Sequence, residues 1–241
     1  MAVAVDAQIA EAGYAFVHAA EMRAVLGADS LSDWPEFAAS WNNLDVDTYL
    51  GERSRYRRRR FAVYHVDASG AIERQPHQPH VQHPEYNALF GGIERWFSPI
   101  ERAIGAGPTM TTVIAFCARL FGSLAPGRRW RVETHQFRIE ARSDLAGEPT
   151  PEGVHRDGVD FVLVLLVDRE NIVSGTTTVY DSERRPLGSF TLTEPLDAAL
   201  VDDRRVAHGV TPVAPLDRSR PGHRDVLVVT FLNAWGPTPT R

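Results

Sequence analysis

Apolar positions recur with two different periods along the chain. From Val5 to Gly27, the residues Ile9, Tyr14, Phe16, Val17, Met22, Val25 and Leu26 return to one broad face among many alanines, which predicts a helix stopped by Gly27. A second, shorter helix is expected from Ser32 to about Trp41, with Ser32 as N-cap and Pro35 in its first turn. A third runs from Thr111 to Leu124 and buries Ile114, Phe116 and Leu120. After Trp130 the period shortens to two. Residues Arg131 to Ile139 alternate, Phe161 to Val167 form a continuous apolar run suited to a strand buried on both faces, and Thr176–Tyr180, Ser189–Leu192, Ala198–Val201 and Val226–Leu232 follow between Gly, Pro, Asp and Asn turns.

Several short strands with no helical pattern between them indicate a sandwich or barrel. The expected fold class is therefore α+β, mainly β, with N-terminal helices packed on a β core. No stretch is long or polar enough to act as a linker, so residues 1–241 read as a single domain. About 1–125 supply helices and substrate-side elements, and about 130–235 supply the β core. Trp96, Trp130 and Phe137 are expected in the interior.

Composition narrows the function. Twenty-six basic residues against 31 acidic ones leave a net charge of −5, with no overall pull toward nucleic acid or an anionic membrane. The single cysteine, Cys117, rules out an intrachain disulfide and a Cys-rich zinc module. The longest purely apolar run, Phe161 to Val167, is far short of the roughly 20 residues that span a bilayer. Asp6 and Glu11 sit where a signal peptide would need basic and then apolar residues, so a soluble, cytoplasmic protein is expected.

Two N-terminal segments carry chemistry-bearing side chains. Arg53, Arg55, Arg57, Arg58, Arg59 and Arg60 precede Phe61 to Tyr64. On a strand only alternate arginines share a face, and a guanidinium fork there suits a substrate carboxylate. Gln75 to His83 is a Pro-, Gln- and His-rich irregular loop whose prolines break any regular ligand face, and Tyr86 to Phe97 reads as turn or short helix around Gly91-Gly92.

The most informative segment is Gly153-Val154-His155-Arg156-Asp157-Gly158, directly before the apolar Phe161 run. His155 and Asp157 are two apart, so an extended backbone points both side chains to one side. His208, in Val206-Ala207-His208-Gly209-Val210, lies far enough downstream for the strands of a double-stranded β-helix to return to the same place. Two imidazoles and one carboxylate form the facial triad of non-haem Fe(II) oxygenases, with open positions for co-substrate and O₂. Arg224 opens the last apolar strand; a buried arginine at the mouth of a barrel demands an anion, such as the far carboxylate of a keto-diacid.

These residues, with Asp202-Asp203-Arg204-Arg205 leading to His208-Gly209-Val210-Thr211-Pro212, resemble the 2-oxoglutarate/Fe(II)-dependent dioxygenases. Within that family they are similar to the branch containing L-isoleucine 4-hydroxylase and pipecolate hydroxylases. Arg55-Tyr56-Arg57-Arg58 and Gln82 to Gly92 also resemble that branch, so the likeness runs from about Arg55 to Phe231. It implies a double-stranded β-helix (jelly-roll, cupin-like) core. It also implies Fe(II) held by His155, Asp157 and His208, 2-oxoglutarate anchored by Arg224, and O₂ as second co-substrate. Hydroxylation of an unactivated C–H would release succinate and CO₂. Halogenating relatives lack the carboxylate ligand, so Asp157 implies hydroxylation.

The same branch implies a small free amino acid, aliphatic or cyclic, as substrate. An arginine from Arg55 to Arg60, Arg58 foremost, is the expected carboxylate partner, with Gln82, Glu85 or Asn87 near the amine and His135 lining the pocket. The alternatives are a cupin-like oxygenase that needs no keto-acid and a nucleic-acid demethylase or binding module using the arginine run.

Overall fold

A computed structural model describes residues 5–50, 56–86 and 91–233. The N-terminal apolar pattern folds as α1 (Val5–Ala12), β1 (Tyr14–Val17) and α2 (Ala19–Leu26), not as one helix. Gly13, at φ +81°, ends α1, and the next four residues form an edge strand of the main sheet by pairing with Ala198 to Val201, an option that helical periodicity does not reveal. The second helix is shorter than expected, α3 (Trp34–Ala39), and its cap position is Asp33 rather than Ser32. Asp33 instead accepts the backbone N–H of Thr109 at 2.8 Å and so caps the long helix that follows.

The remaining elements are β2 (Asp45–Val46), β3 (Arg57–Val66), β4 (Ile72–Arg74), α4 (Arg102–Gly105), α5 (Pro108–Leu124), β5 (Trp130–Ala141), β6 (Phe161–Glu170), β7 (Ile172–Ser174), β8 (Thr176–Tyr180), β9 (Pro186–Thr191), β10 (Ala198–Asp202), β11 (Ala207–Val210), β12 (Val213–Pro215) and β13 (Gly222–Asn233). Eight strands form one sheet in the order β1-β10-β6-β13-β5-β3-β2, with β4 pairing to β3. A three-stranded sheet, β11-β8-β9, and a two-stranded one, β12-β7, make the opposite wall. The N-terminal half is thus not purely helical: β1, β2, β3 and β4 belong to the main sheet.

Alternation gives the main sheet two unlike faces. Tyr64 on β3, Val132 on β5, Phe161, Leu163 and Leu165 on β6, and Leu227, Val229 and Phe231 on β13 join the helices in one apolar core. Arg102–Leu124 is apolar and long enough to cross a membrane, but Met110, Val113, Ile114, Cys117 and Phe121 of α5 are buried in this same core. Phe121 stacks on Phe161 at 4.6 Å, with Phe231 at a steep angle beside it. Residues of the other parity face a cavity of about 1170 Å³ between the main sheet and the opposite wall. Trp130 lies in the apolar core, whereas Phe137 lines the cavity and Trp96 is half exposed, contrary to the expectation that all three are interior.

Candidate metal centre and cavity

His155 and His208 come from segments that meet edge to edge. Each donates its backbone N–H to the other's carbonyl at 2.9 Å, an isolated antiparallel bridge that brings the two rings to 4.7 Å between centroids. Asp157 follows on the same side. Its carboxylate oxygens stand 3.7 Å from His155 Nε2 and 3.8 Å from His208 Nε2. One donor atom from each residue lies within 4.8 Å of the others.

The donor chemistry of this group fits a divalent cation. His155 Nδ1 donates to the Gly153 carbonyl at 3.0 Å, which leaves the lone pair of the neutral ring on Nε2, facing Asp157. A lone pair and a carboxylate oxygen that face each other need a positive charge between them. Without metal that charge is a proton. Burial opposes ionisation of His155, but the hydrogen bond and negative charge of Asp157 outweigh it and push the ring up to about 9. For His208, burial and the charge of His155 hold it down, to about 4. Burial also raises Asp157, yet the two histidines keep it below the ordinary carboxylate range.

The turn that carries Asp157 is held by a residue whose role the sequence did not expose. Asp203 accepts the N–H groups of Asp157, Gly158 and Val159 at 2.9, 2.8 and 3.1 Å. Burial and the charge of Asp157 raise its own pKa. Gly158 has φ +81°, and a side chain there would run into the Tyr86 ring. Both features lie in the quoted motifs, but only the folded chain shows that one motif clamps the other.

Arg224 reaches the cavity from the start of β13, on the inner face of the main sheet. It is 3 % exposed, and its Nε has no hydrogen-bond partner. Burial and the neighbouring Arg169 lower its pKa to about 10. A guanidinium that buried and lacking an acidic partner among the described residues is a receptor for an anion.

Register places the arginine run. Arg57 and Arg59 point into the cavity, whereas Arg58 points to the other face and pairs with Glu140 at 2.6 Å. The expectation for Arg58 is therefore corrected by strand parity: its two neighbours take the cavity side. Arg60 pairs with Asp45 and Glu101. Gln82 lies beside the metal-side turn, its amide 3.4 Å from the Asp157 carbonyl, and Glu85 sits exposed at the rim near His83. His135 lines the cavity and is 4 % exposed. Asn87 lies outside the described residues, as do Arg53 and Arg55.

Of the histidine loop, only His80 joins an acid and another imidazole, Glu133 and His135. Those donors are already engaged: His80 Nδ1 with Glu133 at 2.7 Å, Glu133 also with Arg131, and His135 Nδ1 with Arg59 at 2.6 Å. Arg59 and Arg95 beside them disfavour a cation, and burial with these charges keeps both imidazoles below the usual histidine range. On the opposite face of β13, His223 bonds Asp168 at 2.8 Å while Arg138 grips Asp225, another self-satisfied cluster.

The chain is similar to known proteins over most of its length. The profile of the 2OG-Fe dioxygenase family matches residues 38–230. A bsmA homologue of known structure from Methylobium petroleophilum is 34% identical and superposes with a TM-score of 0.86, covering 98% of this chain and 94% of that one. The structure of IDO from Bacillus thuringiensis has a TM-score of 0.79 at 18% identity, over 95% of this chain and 97% of that one, a likeness of fold. The 3(1)-hydroxy-L-isoleucine 4-dioxygenase of Pantoea ananatis is 25% identical over 206 residues, 84% of this chain and 82% of the relative. With its double-stranded β-helix, the chain belongs to the 2OG-Fe dioxygenase family, oxidoreductases that use Fe(II), 2-oxoglutarate and O₂.

Proposed function

We propose that this protein hydroxylates an unactivated C–H of a small free L-amino acid, aliphatic or cyclic, with 2-oxoglutarate as co-substrate. The observation that carries the reading is one cavity joining three converging ligands to two separate buried arginine poles, Arg224 and the Arg57–Arg59 pair. The amino-acid part draws support from the isoleucine-derivative dioxygenase among its relatives. In this reading His155, Asp157 and His208 hold Fe(II), which with 2-oxoglutarate and O₂ supplies the oxidant for the C–H bond.

The residues of the chain supply placement. Arg224 pairs with the distal carboxylate of 2-oxoglutarate through its planar fork. Asp203 keeps the Asp157 turn rigid, so that the carboxylate stays aimed between the two imidazoles. Ile139, Val226 and Val228 give the cavity an apolar wall beside the ligands, which limits water around the reacting centre. Binding thus fixes which C–H lies nearest the metal.

The test is a panel of free amino acids incubated with protein, Fe(II), ascorbate and 2-oxoglutarate. Mass spectrometry should find one added oxygen on a member of the panel, with matching succinate. Absence of that gain across the twenty amino acids and pipecolate would refute the amino-acid reading. Arg224→Gln should raise the KM for 2-oxoglutarate by about 100-fold. An unchanged KM would place the keto-acid elsewhere.

A further inference from the structure

The inner face of the main sheet carries two cationic positions in a fixed relation. Arg57 on β3 and Arg224 on β13 are both register partners of Ile139 on β5, so they flank it in one row. In the next row Arg59 and Val226 flank Phe137. Strands lie about 4.8 Å apart, which puts positions two strands apart at about 10 Å. The cavity therefore has two anion-seeking poles on one wall, separated by Ile139, Phe137 and Val226.

The second pole is Arg59. Asp47 is the nearest acid, but Arg57 already grips it through Nε and Nη2 at 2.8 and 2.7 Å, leaving Arg59 at 3.6 Å. The Nη2 of Arg59 donates to a neutral acceptor, His135 Nδ1, at 2.6 Å. Its Nε has no partner, although the residue is 3 % exposed. The guanidinium lies over the rings of Phe97 and Phe137, at 3.6 and 4.5 Å from their centroids, which hold its plane. A rigid, desolvated fork with a spare N–H and a shared counter-charge is suited to one more carboxylate.

We propose that Arg59 receives the carboxylate of the substrate and so determines specificity for acids over their neutral derivatives. This inference rests on the amino-acid reading above. His135 is a positioning residue in this scheme. By accepting from Arg59 through Nδ1 it fixes the guanidinium edge, and its own proton is left on Nε2. The substrate then lies across the Phe137 row with its carboxylate away from Arg224, so co-substrate and substrate do not compete for one cation.

The experiment compares matched pairs, each amino acid with its primary amide, together with the same carboxylic acids lacking the amino group. Wild-type protein should oxidise acids about 100-fold more efficiently than amides. In Arg59→Gln that ratio should collapse toward one, chiefly through the KM for the acid, while the KM for 2-oxoglutarate stays within about twofold. Arg59→Lys, which keeps the charge but loses the fork, should fall between them. Amides that serve as well as acids in the wild type would overturn the assignment without any variant. So would an Arg59→Gln protein in which acid and amide decline together, the result of a merely structural role. Oxidation of acids lacking the amine, with the same dependence on Arg59, would keep the assignment and refute the amino-acid reading. Oxidation of amines or amides alone, or of no compound in the set, would refute both.

Discussion

The two faces of the main sheet are built from the same strands and do opposite jobs. On β6 and β13, Phe161, Leu163, Leu227, Val229 and Phe231 are fully buried against the helices, a wall of side chains that need only apolar neighbours. One residue away on β13, the other face presents Arg224, Val226, Val228 and Thr230 to the cavity. On β3 the switch is sharper, since Arg57 and Arg59 enter the cavity while Arg58 turns out to Glu140. Buried polar side chains on the helix face, such as Thr134 and Gln136, hydrogen-bond to the Ala62 carbonyl and the Ser40 hydroxyl, whereas the cavity face keeps the buried cations Arg57, Arg59 and Arg224. Position within the pleat, not residue type, decides which task an arginine has.

That division can be broken at either face. The largest effect should come from the cavity side: His155→Ala, Asp157→Ala or His208→Ala should each abolish turnover, by at least about 1000-fold, and lower bound iron as read by metal analysis while leaving the far-ultraviolet dichroism unchanged. Iron content equal to wild type in all three would show that the site lies elsewhere. Next, Phe161→Ala on the helix face should cost about 3–5 kcal/mol in denaturant unfolding, because it empties a stacked, fully buried site. Val228→Ala on the cavity face, only half-buried, should cost about 1 kcal/mol or less. Equal losses would mean that the two faces share the stability evenly.

A smaller effect concerns acid. The charges of Arg57 and Arg59 outweigh burial and hold Asp47 below its ordinary value of 3.8. A depressed carboxylate stabilises the fold above its unfolded pKa, and that contribution disappears as pH falls through the folded value. Acid unfolding of Asp47→Asn should therefore be less steep below about pH 4 than that of the wild type. Smallest of all, Arg58→Gln should change stability by less than about 1 kcal/mol and leave the KM for substrate as it is, since its pair with Glu140 is partly exposed. A large rise in KM would mean that the parity of β3 had been misassigned.

Much of the β core was legible because its signal is local. β8 coincides with the expected Thr176–Tyr180, and the apolar cores of β5, β6, β10 and β13 all fall where alternation or continuous apolar runs place them. The N-terminal elements were less legible for a physical reason. Tyr14 to Val17 carry helix-compatible periodicity, yet their backbone groups pair with β10 from far along the chain. Local pattern carries no information about a partner so remote. In the candidate site, His155, Asp157, His208 and Arg224 stood out because chemistry and order along the chain identify them together. Asp203 and Glu133 did not, because carboxylates that cap a turn or pair with an imidazole look in sequence like ordinary surface charges, and Arg59 could not be told from its neighbours in the arginine run until strand register chose between them.

From residue order alone came a β-rich chain, the residue types able to hold a divalent metal, and the surplus of arginines in one strand. Three-dimensional packing decided the rest: which arginines face inward, that Asp203 holds the turn of Asp157, and that two cationic poles share one wall. The reason is geometric. Side-chain period is written locally, but register between strands and the distance between facing walls are set by contacts among residues far apart in the chain.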